Sequence, residues 1–129
     1  MKTILFIEDE STLQKTLSAV LEKEDFKIIS AMDGEIGLKL IKLKNPDLIL
    51  LDLILPKLNG FEVLRKIKED KDTKNIPIIV LTNLETMKDV NKAIELGATT
   101  YLVKSSHTLE EVIVKIKQVL SSESKVENR

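Results

Sequence analysis

Cysteine is absent from this sequence, histidine occurs once and glycine occurs four times. Without thiols the chain can form neither a disulfide nor a thiolate zinc site, which is typical of a protein from a reducing compartment. The single histidine, His107, excludes zinc sites that need several imidazoles. The glycines at 34, 37, 60 and 97 cannot form GxGxxG or GxxxxGK[ST], so both of these phosphate-binding loops are excluded.

Long apolar runs and an excess of charge of either sign are also missing. The longest apolar stretch, Leu48–Leu55, is interrupted by Asp52 and is far shorter than the ~18 residues of a membrane span. Lys and Arg together number 20 and Asp and Glu 21, so the chain lacks the basic charge of a typical nucleic-acid binder. For a chain of 129 residues we expect one soluble cytoplasmic domain that binds neither membrane nor nucleic acid.

Short apolar runs alternate with longer amphipathic segments along the chain. Runs near Ile4, Phe26, Leu48, Ile76 and Thr100 predict five strands, and the third run is apolar throughout, as in a parallel strand buried on both faces. The segments between them carry apolar residues at helical spacing and predict five helices. This alternation favours an α/β fold, a doubly wound parallel sheet in the order 2-1-3-4-5.

Short-range signals predict where the helices begin. Ser11 and Gln14 have the spacing of a capping box at the start of the first helix, and Thr108 and Glu111 repeat it before the last. Asp33 is the expected cap of the second helix.

Two further expectations concern the second half of the chain. Met87, Val90 and Ile94 form one stripe of the fourth helix and are expected in the core. We assign residues 1–120 to the folded domain and residues 121–129 to a polar C-terminal tail.

Polar side chains follow four of the predicted strands. Glu8 and Asp9 follow the first strand, Asp52 the third, Thr82 ends the fourth, and Lys104 follows the fifth. Parallel strands end at one edge of a sheet, and ligands bind where the strand order reverses, here between strands one and three. We therefore expect these five side chains to converge.

Such a cluster suits phosphoryl chemistry. Clustered carboxylates repel unless a cation lies between them, and their hard oxygen atoms suit Mg²⁺. One carboxylate can act as a nucleophile towards phosphorus and form an aspartyl phosphate. The Lys104 ammonium would then neutralise charge on the transferring phosphoryl group, and the Thr82 hydroxyl would bond one of its oxygen atoms.

The sequence around these residues resembles the receiver domain of two-component response regulators, from about Lys2 to Leu120. The resemblance implies the flavodoxin-like fold of the chemotaxis receiver, whose strand order is the one expected above. Four sequence blocks carry the resemblance: ILFIEDE, PDLILLDLILPKLNGFEVL, IPIIVLTN and GATTYLVK.

The resemblance also implies a role for each residue of the cluster. Asp52 corresponds to the phosphoacceptor, and it would hold Mg²⁺ together with Glu8, Asp9 and the backbone carbonyl of Ile54. The phosphoryl group would be bound by Thr82 and Lys104, and the aromatic partner of Thr82 in a conformational switch would be Tyr101.

A receiver of this kind takes phosphate from a histidine kinase or a histidine phosphotransfer protein. It catalyses only its own phosphorylation and dephosphorylation, so no other enzyme activity is expected. Because 129 residues leave no room for an effector domain, we expect a stand-alone receiver that signals by contact with an unidentified downstream protein or passes the phosphate on. A monomer or a weak homodimer is compatible with this role.

Three residues depart from the usual pattern of the family. Glu8 replaces the commoner Asp, Asn83 replaces a small residue, and Ser105 replaces the proline that commonly follows the lysine in a cis peptide. A cis bond before a residue other than proline costs about 2.5–4 kcal/mol. The Lys104–Ser105 bond is therefore predicted to be trans.

Other functions fit the residues less well. An aspartate-dependent phosphohydrolase of the haloacid-dehalogenase type would need a second aspartate at position 54, where this chain has isoleucine. A flavin carrier would have its phosphate repelled by the acidic segment Glu8–Glu10. A receiver-like scaffold that works without phosphorylation is the remaining alternative, although it would not need the intact acidic, hydroxyl and lysine groups.

Overall fold

Five strands and five helices alternate in the computed structural model, which describes residues 1–127. The strands are β1 (Thr3–Ile7), β2 (Lys27–Ala31), β3 (Leu48–Leu51), β4 (Ile78–Thr82) and β5 (Thr100–Val103). The helices are α1 (Ser11–Lys23), α2 (Gly34–Lys44), α3 (Gly60–Glu69), α4 (Met87–Glu95) and α5 (Leu109–Glu127). All strand pairs are parallel and the order is β2-β1-β3-β4-β5, which confirms the predicted fold.

Side chains alternate between the two faces of the sheet along each strand, and helices cover both faces. Leu5 and Ile49 belong to a core layer that also contains buried residues of α2, α3 and α4. Phe6 and Leu50 belong to a second layer with buried residues of α1 and α5. The all-apolar strand β3 pairs with β1 and β4 and is fully buried, as its composition predicts.

Two of the predicted caps are present and one is not. The Asp33 carboxylate accepts the Ile36 N–H at 2.8 Å, and Thr108 and Glu111 exchange side-chain and backbone hydrogen bonds. The prediction of a capping box at Ser11 is wrong. Ser11 is the first residue of α1 and its N-cap is Glu10, which makes no side-chain hydrogen bond, while the Gln14 side chain donates to the Phe6 carbonyl of β1 instead.

The prediction that the stripe on α4 is core is also wrong. Met87 is 71% exposed and Ile94 is 47% exposed, and Ala93 is the buried residue of this helix. The helix packs against β5, which is the edge strand of the sheet. Because no further strand lies beyond β5, only Ala93 is covered, and the larger apolar side chains Met87 and Ile94 extend into solvent.

The last helix is longer than the sequence pattern predicts. It continues past Leu120 to Glu127, so the expected polar tail is helical over residues 121–127, while residues 128 and 129 lie outside the described residues. The domain boundary at residue 120 stays a prediction. None of the helices in the described part of the chain has the length and apolar character needed to cross a lipid bilayer.

No peptide bond between residues 1 and 127 is cis, so the predicted trans bond at Lys104–Ser105 is confirmed. Residues Lys104–Ser106 form a single 3₁₀ turn directly after β5. The lysine begins this turn, at the same edge of the sheet as the ends of β1 and β3.

Candidate functional site

Three carboxylates meet at the carboxyl edge of the sheet. Glu8 and Asp9 follow β1 and Asp52 follows β3, the neighbouring strand. One carboxylate oxygen from each residue lies within 4.8 Å of the others. Glu8 and Asp52 are buried and Asp9 is exposed, so the cluster opens to solvent on the Asp9 side. The structure therefore brings together the three acidic residues that the sequence predicts.

The Lys104 ammonium lies between two of these carboxylates. Its Nζ is 2.8 Å from Oε1 of Glu8 and 3.0 Å from Oδ2 of Asp52. Burial lowers the pKa of Lys104, but the contacts with both carboxylates outweigh burial and the net pKa is raised. The lysine is therefore a charged group placed beside the expected nucleophile.

Burial strongly perturbs the pKa of Glu8. Its burial, and then the negative charge of Asp52, raise the pKa of Glu8 to about 7, while the contact with Lys104 lowers it only partly. Its Oε2 atom accepts the Glu10 N–H at 3.1 Å. Its Oε1 atom is buried and faces the Lys104 ammonium, with no hydrogen bond of good geometry in residues 1–127.

This arrangement fits a hard divalent cation. Buried carboxylate oxygen atoms without a full set of donors cost free energy, and a cation supplies the missing partner. The ligand types are all oxygen, which suits Mg²⁺ or Mn²⁺ better than softer metals. The residues present are thus compatible with the metal that the sequence predicts.

Asp52 is held by groups on either side of it. Its Oδ1 atom accepts the Ile54 N–H at 3.2 Å, and its backbone N–H donates to the Ile7 carbonyl at 3.1 Å. The Gly60 N–H donates to the Leu53 carbonyl at 2.9 Å, and a Cβ atom at Gly60 would lie 2.3 Å from the Cα of Leu53. Only glycine therefore lets α3 begin this close to the segment that carries Asp52.

The side-chain hydroxyl groups of Thr82 and Tyr101, the two residues of the predicted switch, both form hydrogen bonds with the backbone of Leu84. The Thr82 hydroxyl is buried and accepts the Leu84 N–H at 3.5 Å, a long contact. The Tyr101 hydroxyl donates to the Leu84 carbonyl at 2.7 Å. Burial, the largest cause, raises the pKa of Tyr101, and the charges of Asp89 and Asp52 add to it. Leu84 is a link that the sequence pattern did not indicate.

Gln14 is a second residue that the sequence pattern missed. It is 4% exposed, and its side-chain amide donates to the Phe6 carbonyl at 2.8 Å. The buried residues of α1 are Gln14, Leu17 and Leu21, which share one helical face. That spacing was the available signal, since it places a glutamine in line with two core leucines.

Comparisons with known proteins identify the family. Residues 4–117 match the model of the response regulator receiver domain. The transcriptional regulatory protein AfsQ1 of Streptomyces coelicolor is 40% identical over 104 residues, covering 81% of this chain and 45% of that protein. The DNA-binding dual master transcriptional regulator RpaA of Synechocystis is 35% identical over 120 residues, covering 93% of this chain and 49% of that protein.

The chain spans about half the length of these curated relatives. Both are named as transcriptional regulators and one as DNA-binding, so the relatives do not support the expectation that excludes nucleic acid.

Solved structures agree with the fold. A CheY-like receiver domain protein of Methanospirillum hungatei has a TM-score of 0.90 at 25% identity, covering 97% of this chain and 98% of that one. The Mn²⁺-bound form of response regulator Rcp1 has a TM-score of 0.78 at 35% identity, covering 96% and 93%. The chain therefore belongs to the response regulator receiver domains, the signalling domains of two-component systems.

Proposed function

We propose that Asp52 is the phosphoacceptor of this receiver and that it accepts phosphate in a Mg²⁺-dependent reaction. The observation that carries the proposal is the convergence of Asp52 with Glu8, Asp9 and the Lys104 ammonium at one edge of the sheet. A nucleophile, two further acidic oxygen ligands and a fixed positive charge are the components that transfer of a phosphoryl group requires.

In the proposed transfer, a carboxylate oxygen of Asp52 forms a bond to phosphorus while the bond from phosphorus to the donor's histidine nitrogen breaks. The electron pair of that bond leaves with the nitrogen, which takes up a proton from solvent. Lys104, already 3.0 Å from Asp52, neutralises charge on the transferred group. The Thr82 hydroxyl only accepts in its long 3.5 Å contact with the Leu84 N–H, and this contact leaves its own proton to be donated to a phosphoryl oxygen.

Glu8, Asp9, Asp52 and the backbone carbonyl of Ile54 are the proposed ligands of Mg²⁺. When bound by these residues, the metal would supply positive charge that offsets the repulsion between the carboxylates and the phosphoryl group. Support comes from the shared oxygen cluster of the three acids and from the similar response regulator Rcp1, whose structure is a Mn²⁺-bound form.

The proposed donor is a histidine kinase or a histidine phosphotransfer protein, and the output passes to a downstream protein. The exposed apolar residues Met87 and Ile94 of α4 give that partner a surface to contact. Because the curated relatives are transcriptional regulators about twice as long, control of transcription through a DNA-binding region is a second route for the output.

The test is incubation with a small phosphodonor, acetyl phosphate, and Mg²⁺, followed by intact-mass spectrometry. The mass should rise by one phosphoryl group, and Asp52→Asn should abolish the increase while keeping the fold. Asp25→Asn is the matched control, since Asp25 is an exposed aspartate with a positive φ of 67° that Asn adopts readily. Undiminished labelling of Asp52→Asn would refute the assignment, and an unlabelled wild type would favour the phosphorylation-independent scaffold.

A further inference from the structure

We propose that Gln14 is a positioning residue for the metal-binding segment Glu8–Glu10. The inference rests on the proposed function, because it concerns the same carboxylates. Gln14 itself contributes no ligand, and it acts through the backbone of the residues that do.

The Gln14 side-chain amide holds the end of β1. Its Nε2 atom donates to the Phe6 carbonyl at 2.8 Å and lies 3.3 Å from the carbonyl oxygen atoms of Glu8 and Ala31. The Ala31 carbonyl also accepts the Glu8 N–H at 2.9 Å. Both backbone groups of Glu8 are therefore tied to a network in which the glutamine amide is the central donor.

The backbone of Gln14 holds the other end of the same segment. Its N–H donates to the Glu10 carbonyl at 3.0 Å, and the Glu10 N–H donates to the Glu8 carboxylate at 3.1 Å. One residue thus brackets Glu8, Asp9 and Glu10, with its side chain on the first of them and its N–H on the last.

Two serines determine which end of the amide faces the sheet. The Oε1 atom of Gln14 accepts the Ser30 hydroxyl at 2.9 Å and the Ser18 hydroxyl at 3.4 Å. With its oxygen engaged by these donors, the NH₂ group is directed at the backbone carbonyls. A hydrocarbon side chain of similar size fills the same buried space but provides none of these contacts.

Loss of a positioning residue weakens metal binding, whereas loss of core packing lowers the stability of the fold without weakening metal binding by the folded protein. Loss of a hydrogen bond made directly to a metal ligand weakens binding by about 10- to 100-fold. Gln14 acts on the backbone of Glu8 rather than on its carboxylate, so we expect a smaller loss, about 5- to 10-fold. Core packing alone would leave the dissociation constant for Mg²⁺ unchanged as long as the protein is folded.

The experiment measures the Mg²⁺ dissociation constant of the full chain by calorimetry, without phosphodonor. Gln14→Met keeps the size and the helix propensity of the residue while removing its amide. Val20→Ala is the control, because Val20 is a half-buried residue of the same helix packed against the α1–α5 core layer. We expect Gln14→Met to weaken binding about 5- to 10-fold and Val20→Ala to leave it unchanged.

Equal affinity of folded Gln14→Met and wild type would overturn the proposal, and so would equal weakening in both variants. If the wild type does not bind Mg²⁺, the metal site itself is overturned, which is a different result from loss of the Gln14 effect. If Gln14→Met does not fold, Ser30→Ala replaces it, since Ser30 is exposed and only supports the amide. We expect binding about 2- to 3-fold weaker for Ser30→Ala, and an unchanged constant would overturn the proposal.

Discussion

The buried carboxyl of Glu8 makes the stability of the folded protein depend on pH. It has no exposed surface, and its neighbours are the Asp52 carboxylate and the Lys104 ammonium. Burial is the largest cause of its raised pKa of about 7. Near neutral pH the carboxyl is therefore only partly ionised in the metal-free protein, and the folded state carries the cost of ionising it.

The first residue-scale prediction is a loss of stability with rising pH in the absence of metal. Unfolded Glu8 has a pKa of 4.5, so between that value and about 7 the folded state binds more protons than the unfolded state. The free energy of unfolding should fall by roughly 2 kcal/mol from pH 5 to pH 7. Urea unfolding in a chelator measures this slope, and Glu8→Gln should flatten it. An equally steep slope in Glu8→Gln would show that another group is responsible.

A second residue-scale prediction concerns Lys57 in the loop after β3. Its φ is +71°, and the Leu58 N–H donates to the Pro56 carbonyl at 2.8 Å across it, the pattern of a γ-turn. This backbone is strained for a residue with a Cβ atom, so Lys57→Gly should raise the free energy of unfolding by about 0.5–1 kcal/mol. Lys57→Ala removes the same amine but keeps the strain, and chemical unfolding should show no gain for it. A gain of equal size in both variants would point to charge rather than strain.

At the scale of elements, the loop between β4 and α4 joins the site to the exposed face. The Thr82 hydroxyl and the Tyr101 hydroxyl both contact the backbone of Leu84, from β4 and β5 respectively. Movement of the Thr82 hydroxyl towards a phosphoryl group would release one of these contacts. The loop and the Tyr101 ring are therefore the parts of the molecule placed to respond together.

The element-scale prediction is that phosphorylation changes the environment of Tyr101 only when residue 82 has a hydroxyl. Tyr101 is the single tyrosine of a chain without tryptophan, so its intrinsic fluorescence reports on this ring alone. The emission should change on phosphorylation of the wild type and change much less for Thr82→Ala, although the alanine variant still accepts phosphate. Thr82→Ser should restore the response. A full response in Thr82→Ala would contradict the coupling.

At the scale of the whole molecule, the site exists because β1, β3 and β5 are parallel strands that end at the same edge of the sheet. The buried strands β1 and β3 bring the three acids together, and β5 adds the lysine from the far side of β4. Each of these groups belongs to one of the first two residues after a strand. Any ligand that binds them consequently stabilises the packed sheet as a unit.

The whole-molecule prediction is that Mg²⁺ raises the melting temperature. A ligand bound only by the folded state adds roughly 1.4 kcal/mol at ten times its Kd, which corresponds to about 5 °C for a domain of this size. Thermal unfolding with and without Mg²⁺ measures the shift. Asp9→Ala should lose most of it, since Asp9 is an exposed acid whose removal leaves the core intact, whereas Asp25→Asn should keep it. A melting temperature indifferent to millimolar Mg²⁺ would argue against a metal site.

The local sequence pattern was sufficient for the architecture and for the acidic cluster. A run of apolar residues such as Leu48–Leu51 is stable only when buried on both faces, and strands that alternate with helices have few allowed arrangements. Residues after the strands must then share an edge, so the convergence of Asp9, Asp52 and Lys104 followed from their positions alone.

Tertiary structure alone decided what each side chain faces. The spacing of Ser11 and Gln14 is the same in two different arrangements. The pair can cap a helix, or the glutamine can turn towards the sheet, as Gln14 does here. The apolar stripe with Met87 and Ile94 likewise has the same period on a buried or an exposed helix, and only the edge position of β5 leaves it in solvent. The raised pKa of Glu8 depends on its depth of burial. Periodicity is a property of the chain, whereas burial depends on the elements that pack opposite, which lie far away in the sequence.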